Sequence, residues 1–329
     1  MTHILVVRQD RLGDAINAVP VLKYLRHSLP GARLSFMVAP GLVDLFRDQD
    51  YADEAIPYEN RLLPLMTILS QGRYDAVLML KPAKTLAWAS LFAGIRSKAG
   101  LGWRPYYPLT GFHSGYPHLA NDDAHEIDYN LAVAYALFPG LATGTVPSIS
   151  IPEVLKDEAR QWLSQKGLRL PVAILPANRG SSPNWTAGQY AALVEALKLQ
   201  GHEVAVIGGP GEEPILSLVA TTSGAPVLGP ECSILQLAAL LSQCRLAVAS
   251  STGTLHLAAA MGIPTVGLFC SMPASRPQRW APLGSRQIQF VPKHERCAAC
   301  DGSTRCDLSG ITLNEVLSAV EKQLCNGSW

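Results

Sequence analysis

One stretch of the chain combines residue types that could bind an anion. In "LAVASSTGTLHLAAAMG", an apolar run typical of a buried strand leads through Ser251, Thr252 and Gly253 into an alanine-rich helix that carries His256. The first N–H groups of a helix lack intrahelical partners and lie at its positive dipole end, which suits phosphate. Two interpretations stay open for this turn: Ser251 or Thr252 only caps the helix, or the turn binds a phosphate group.

A second stretch, "RLGDAINAVPVLKYLR", could supply a base. Gly13 follows the first predicted strand and Asp14 stands at the start of a helix, at the strand end where ligands of such sheets bind. Asp14 is either a general base or a helix cap. The flanking Arg8 and Arg11 either meet an anionic substrate or form a solvated rim. A single glycine is not the dinucleotide fingerprint, so a dinucleotide site is not expected here.

Three loops in the second half follow predicted strands and are rich in Gly, Pro and small polar residues. They read "PANRGSSPNW", "GGPGEE" and "SSTGTLH". Such loops leave the backbone accessible for contacts to phosphate and ribose. If the strands belong to one parallel sheet, the loops converge at its carboxyl edge.

Strand-like runs alternate with helical ones along the whole chain, which predicts an α/β protein with parallel sheets. Two such series predict two doubly wound Rossmann-like domains that face each other across a cleft. The Gly-, Pro-, Ser- and Thr-rich stretch Phe138 to Val154 is the natural linker, so the predicted domains are 1–150 and 151–329. The first helix is expected from Asp14 to His27.

Composition excludes several classes of protein. The 329 residues are 48% hydrophobic and 16% charged, as in a globular protein, and a net charge of +1 offers no electrostatic attraction to nucleic acid. The N-terminus has no basic region or cleavage site of a signal peptide, and the run "TLAWASLFAGI" is too short to span a membrane. These features predict a cytoplasmic protein with reduced cysteines.

The motifs "RLGDAINAVPVLKYLRHSLPGARLSFMVAP", "STGTLHLAAAMGIPTVGLF" and "CAACDGSTRCDLSGITLNEVLSAVEKQL", with "RYDAVLMLK" and "HEIDYNLAVAYAL" between them, resemble glycosyltransferase family 9. The resemblance covers nearly the whole chain. It implies a GT-B fold with an acceptor site in the first domain and a nucleotide-sugar site in the second. It further implies an inverting transfer that requires no metal or other cofactor, with a heptose moved from ADP-heptose to a lipopolysaccharide core or related saccharide, and contact with the inner face of the inner membrane.

The resemblance also implies site residues. The general base falls on Asp14, with Gly13, Arg8 and Arg11 on the acceptor side. Donor-binding positions fall on the three loops and on the approach to the adenine. Asn178 corresponds to the polar contact of the first loop, Glu212 or Glu213 to the acidic residue on the ribose side, and Cys232 to the approach to the adenine. The diphosphate positions fall on Ser251, Thr252, Gly253 and His256.

Two positions depart from the family pattern. Ser251 stands where the family usually has aspartate, and Pro183 stands where it usually has a lysine that balances the departing diphosphate. Because the leaving group gains negative charge, a cation near it stabilises the transition state. Arg179, in the same loop as Pro183, is predicted to supply that charge as a catalytic residue, with Arg276 as the second choice.

The tail "HERCAACDGSTRC" contains His294, Cys297, Cys300 and Cys306, a set that could form a structural zinc site, with Cys325 as a substitute ligand. The other interpretation is that these cysteines bind no metal. Two alternative functions also stay open. One is a sugar-nucleotide epimerase of the same fold, and the other is a nucleotide-sugar-binding protein that has lost catalysis.

Overall fold

The computed structural model describes residues 2–115, 124–140, 146–272, 275–284, 286–292 and 308–325. The chain divides into two compact units, Met1–Pro147 and Ser148–Trp329, and the division falls within the stretch expected to be a linker. Each unit contains one six-stranded sheet in which all the neighbouring strands run parallel.

The sheet of the first unit has the strand order β3-β2-β1-β4-β5-β6. Its strands are β1 His3–Arg8, β2 Arg33–Val38, β3 Glu54–Pro57, β4 Ala76–Met79, β5 Ser97–Gly100 and β6 His113–Ser114. The central strands β1 and β4 are buried along their whole length. Burial on both faces explains why their sequences are almost continuously apolar, since helices cover both sides of a parallel sheet.

The second unit repeats this order as β12-β11-β10-β7-β8-β9. Its strands are β7 Val172–Leu175, β8 Val204–Ile207, β9 Val227–Leu228, β10 Leu246–Ser250, β11 Thr265–Leu268 and β12 Gln287–Phe290. Both sheets therefore have the strand order of a Rossmann fold, in which the chain winds outward in one direction and then, after a long crossover, in the other.

The helices of the described residues connect these strands. They are α1 Leu12–Ile16, α2 Val19–Ser28, α3 Val43–Phe46, α4 Leu62–Gly72, α5 Lys84–Phe92, α6 Tyr107–Thr110, α7 Glu126–Tyr135, α8 Glu153–Gln165, α9 Ala187–Leu199, α10 Glu213–Ser223, α11 Ile234–Ser242, α12 Gly253–Ala260, α13 Pro277–Trp280 and α14 Leu313–Cys325. Apolar side chains of the helices pack on the sheets and form a separate hydrophobic core in each unit. None of the helices in the described part of the chain is long and apolar enough to cross a membrane.

The first helix differs from the expected Asp14–His27. It is divided into α1 and α2, with Asn17 and Ala18 between them. Pro20 stands in the first turn of α2 and has no N–H with which to continue the helical ladder from α1. The break leaves α1 as a short element directly after β1, and it is α1 that carries Asp14.

The strand order places one crossover point in each sheet. In the first unit it lies between β1 and β4, where Ile4 is opposite Ala76, and in the second between β10 and β7, where Leu246 is opposite Val172. Ligands of such sheets bind where the carboxyl ends of these two strands diverge. The loops after β1 and β4, and after β7 and β10, are therefore the expected ligand-binding regions of the two sheets.

Candidate functional site

A buried guanidinium lies at the crossover point of the first sheet. Arg8 is the last residue of β1 and is only 4% exposed. Its Nε donates to Asp10 Oδ1 at 2.8 Å and its Nη2 donates to Asp14 Oδ1 at 2.5 Å. Its Nη1 donates to Glu126 Oε1 and to Asn130 Oδ1, both at 3.0 Å. Three carboxylates thus surround one guanidinium.

These contacts bear on the interpretation of Arg8, whereas the role of Arg11 stays a prediction. Arg8 is not part of a solvated rim, because it is buried and its donors engage protein carboxylates and the Leu80 carbonyl at the end of β4. A contact between Arg8 and an anionic substrate stays a prediction. Burial alone would lower the pKa of Arg8, but the carboxylates of Asp10, Asp14 and Glu126 raise it above its ordinary value. Arg11 is exposed, and Gly13 is buried within α1.

Asp14 is not the cap of its helix. Arg11 occupies the cap position of α1 without a side-chain hydrogen bond, and Asp14 lies inside the first turn. The Asp14 side chain is 15% exposed, and one of its oxygens, Oδ1, receives the Arg8 contact. Burial raises the pKa of the Asp14 carboxyl; Arg8 opposes this shift, whereas Asp10 and Glu126 reinforce it. A largely buried carboxylate with a raised pKa, held by an arginine, is suited to accept a proton.

Glu126 and Asn130 were not predicted as site residues. Both lie on α7 and are buried, and they reach Arg8 from 118 and 122 residues further along the chain. A sequence signal exists, because the two polar residues stand four positions apart on one face of the helix "EIDYNLAVAY", most of whose other residues are apolar. Buried polar groups at that spacing indicate a polar partner.

In the second unit, hydrogen bonds connect the three loops that follow β7, β8 and β10. Ser182 Oγ, after β7, donates to the carbonyl of Ser251, after β10, at 2.8 Å. Arg179 Nε donates to Glu212 Oε1 at 3.1 Å, and Arg179 Nη2 donates to the Pro210 carbonyl. The loops therefore come together at the carboxyl edge of the sheet, and the first bond crosses the β7–β10 crossover point.

The turn after β10 is capped by Thr252, whose Oγ1 accepts from Leu255 N at 3.4 Å and lies 2.8 Å from Thr254 Oγ1. Gly253 is the first residue of α12. His256 is buried one turn into the helix. Capping therefore takes place through Thr252, and binding of phosphate at the same helix terminus stays a prediction.

The predicted donor-binding residues Asn178, Glu212 and Glu213 lie in or next to the same loops. Asn178 folds back on its own loop, with Nδ2 donating to the Ser182 carbonyl at 2.6 Å. Glu212, 10% exposed, accepts from Gly209 N through Oε2 at 2.9 Å, so both its oxygens are engaged. Glu213 accepts from Gly211 N and is more exposed than Glu212.

Cys232 lies before α11 and is buried, and burial raises the pKa of its thiol. Pro183, at the position of the family's lysine, is buried as well. Arg179 extends from the same loop with 66% of its side chain exposed, and Nη1 takes no part in its contacts to Glu212 and Pro210. Arg276 is half-buried at the start of α13.

The predicted zinc ligands His294, Cys297, Cys300 and Cys306 lie outside the described residues. Cys325 is exposed at the end of α14. Within the ranges given above for the described structure, no group of His, Cys, Asp or Glu side chains is arranged to bind a metal ion.

Two parallel sheets of Rossmann order, each with polar loops at its crossover point, define a protein of the GT-B fold class. The family model of glycosyltransferase family 9 (heptosyltransferase) matches residues 63–308, and the chain belongs to this family. The protein is therefore a glycosyltransferase, and membership of this family does not favour the epimerase alternative.

Similar proteins cover nearly the whole chain. A putative glycosyltransferase of Haemophilus influenzae is 24% identical, over 89% of this chain and 90% of the relative. Lipopolysaccharide heptosyltransferase 3 of Escherichia coli is 22% identical, over 95% of this chain and 96% of the relative. The structure of E. coli ADP-heptose lps heptosyltransferase II has a TM-score of 0.79 at 22% identity, covering 99% of both chains.

Proposed function

We propose that this protein is an inverting, metal-independent heptosyltransferase that moves a heptose from ADP-heptose to the core of a lipopolysaccharide or a related saccharide. One observation carries the proposal: in a member of glycosyltransferase family 9, the carboxylate of Asp14 lies at the crossover point of the first sheet, oriented by the buried Arg8. We place the reaction in the cytoplasm, at the inner face of the inner membrane.

Asp14 serves as the general base in this proposal. Arg8 holds Oδ1, and no described residue hydrogen-bonds Oδ2, so Oδ2 takes the proton of the acceptor hydroxyl. The hydroxyl oxygen then forms a bond to the anomeric carbon, while the bond from that carbon to the diphosphate breaks and its electron pair stays on the leaving group. The raised pKa of Asp14 makes it a stronger base than an ordinary aspartate.

The donor occupies the three connected loops of the second unit. The turn from Ser251 to Thr254 at the N-terminus of α12 receives the diphosphate, because the helix dipole and the N–H groups of the first helical turn favour an anion. Arg179 supplies the positive charge that Pro183 cannot, using the Nη1 group that its contacts to Glu212 and Pro210 do not engage. His256 packs one turn behind the phosphates.

The remaining donor contacts follow the family pattern. Glu212 or Glu213 receives the ribose, Asn178 contributes a polar contact from the loop after β7, and Cys232 lies on the adenine side. All of them are on loops or helix starts at the carboxyl edge of the second sheet.

The test is a transfer assay with ADP-heptose and heptose-deficient lipopolysaccharide as the acceptor. We expect a heptosylated product whose anomeric configuration, read by NMR coupling constants, is opposite to that of the donor, and a rate that EDTA does not change. Retained configuration would overturn inversion, and loss of activity in EDTA with recovery on adding a divalent cation would overturn metal independence. Binding of ADP-heptose without transfer or hydrolysis would favour the alternative of a non-catalytic binding protein.

A further inference from the structure

Arg8 is held from two sides. On one side, its own segment provides Asp10 and Asp14. On the other, helix α7 provides Glu126 and Asn130, which both accept from Nη1 at 3.0 Å. Glu126 is the first residue of α7 and is 3% exposed.

Helix α7 also contacts the segment that follows α1. Asn130 Nδ2 donates to the carbonyl of Asn17 at 3.0 Å, at the break between α1 and α2. One face of α7 therefore binds both the guanidinium that contacts Asp14 and the backbone at the end of the helix that carries Asp14.

A guanidinium is a rigid planar fork, so fixing one of its arms fixes the direction of the others. With Glu126 on Nη1, the Nη2 group is aimed at Asp14 Oδ1. A buried arginine without compensating carboxylates would be costly, and it would draw Asp14 closer or take another partner. Both the position and the charge state of Asp14 should then depend on Glu126.

We propose that Glu126 is a positioning residue for the transfer reaction: acting through Arg8, it holds the Asp14 carboxylate so that one oxygen is occupied and the other faces the acceptor hydroxyl. This inference rests on the proposed role of Asp14 as the base. Glu126 itself touches no reacting atom.

Three further charged groups of the described residues lie around Asp14 and Arg8. They are Asp10 in the loop after β1, Glu126 on α7, and Lys81 after β4, whose Nζ lies 3.3 Å from Asp10 Oδ2. The negative charge of Glu126 raises the pKa of Asp14. Its removal leaves Arg8 with fewer anionic partners, so the pKa of Asp14 falls and the base weakens.

Glu126→Gln tests this coupling, since glutamine keeps the shape of the side chain and removes the charge. We expect kcat to fall by about 10²-fold, as when a catalytic group is misplaced by about 1 Å, while the KM for the donor stays unchanged. The acid limb of the pH profile should move to lower pH. The titration of the Asp14 carboxyl, followed by 13C NMR and assigned with Asp14→Asn, should move in the same direction.

Asp128→Asn is the matched control. Asp128 is on the same first turn of α7 but accepts from His125 N at 3.0 Å and does not contact Arg8. We expect it to leave the kcat, the pH profile and the Asp14 titration as in the wild type. If Glu126→Gln does not fold, Glu126→Asp keeps the charge and shortens its reach, and should lower kcat without changing the KM for the donor.

An unchanged Asp14 titration in folded Glu126→Gln, or a lower melting temperature with unchanged kcat, would overturn the positioning role. A wild-type kcat in Glu126→Asp would also overturn the positioning role. A wild-type protein that transfers no heptose overturns the proposed function instead. The titration still decides in that case whether Glu126 controls Asp14.

Discussion

Replacing Asp14 by asparagine removes the proposed base and keeps a carbonyl oxygen that can accept from Arg8 Nη2, as Oδ1 does at 2.5 Å in the structure. A general base contributes roughly 10²–10⁴-fold to a rate, which corresponds to about 2.7–5.4 kcal/mol in the activation barrier. We therefore expect kcat to fall by that factor and the KM for the donor to stay nearly constant, since the donor loops lie in the other unit.

The same substitution should not weaken the fold at neutral pH. Because burial raises the pKa of Asp14 above its ordinary value of 3.8, the folded state disfavours the ionised form. Asp14 therefore contributes more to the stability of the wild type as the pH falls from the raised pKa towards 3.8. The substituted asparagine side chain carries no charge at any pH, so the variant should match or exceed the wild-type melting temperature at pH 7, and the difference should shrink in acid.

Transfer kinetics and thermal unfolding between about pH 4 and pH 8 measure both effects. Asp128→Asn removes a carboxylate from α7 at a position that does not contact Arg8, and controls for the loss of one negative charge. Near-wild-type turnover in Asp14→Asn would refute the role of general base. A drop of about 3 kcal/mol or more in the free energy of unfolding at pH 7 would show that Asp14 mainly neutralises the buried Arg8.

Three further predictions concern other parts of the chain. Gly253→Val should lower the affinity for ADP, because a branched side chain would stand where the diphosphate approaches α12. The fold should persist, because Gly253 does not need a positive φ. An unchanged affinity in calorimetry would show that this turn does not belong to the donor site. Arg179→Ala should lower turnover more than it weakens binding of ADP, because the charge acts on the leaving group; if turnover survives there but is lost in Arg276→Ala, the cation comes from the loop after β11. Asp53→Ala should lower the free energy of unfolding at pH 7 by about 1 kcal/mol, because it removes the hydrogen bonds that the Asp53 carboxylate accepts from Leu34 N and from an arginine. Partial burial raises the pKa of Asp53, but these hydrogen bonds outweigh burial and lower the pKa below its ordinary value. The stability that Asp53 contributes is present above its ordinary pKa of 3.8 and is lost as the pH falls through the lowered pKa. Equal urea midpoints of the wild type and Asp53→Ala at pH 7 would contradict the expectation.

The amino-acid sequence determined the class of fold, because local patterns carry that information. Continuous apolar runs at β1, β7 and β10 predict strands buried on both faces, and their alternation with helical segments requires parallel sheets. The short strands β9 and β6 were not predicted, because two residues at a sheet edge carry no periodicity.

The sequence also determined where the polar loops lie, since Gly, Pro and small polar residues mark the strand ends. It predicted that Asp14 stands at such an end. The expectation of one continuous helix from Asp14 to His27 was wrong, because Pro20 in the same stretch divides that helix into α1 and α2. It left the role of Asp14 open between cap and base, because an aspartate near the start of a helix is suited to either role.

Only the tertiary structure decided what surrounds that carboxylate. Arg8 appeared equally suited to a solvated rim or to a substrate, and its burial depends on α7, which folds back from 118 residues away. The contact of Arg179 with Glu212 likewise joins two loops that are distant in sequence. Local periodicity can mark buried polar residues such as Glu126 and Asn130, but it does not say which residues they meet across such separations. Their energies come from desolvation and charge pairing that exist only after the chain has folded.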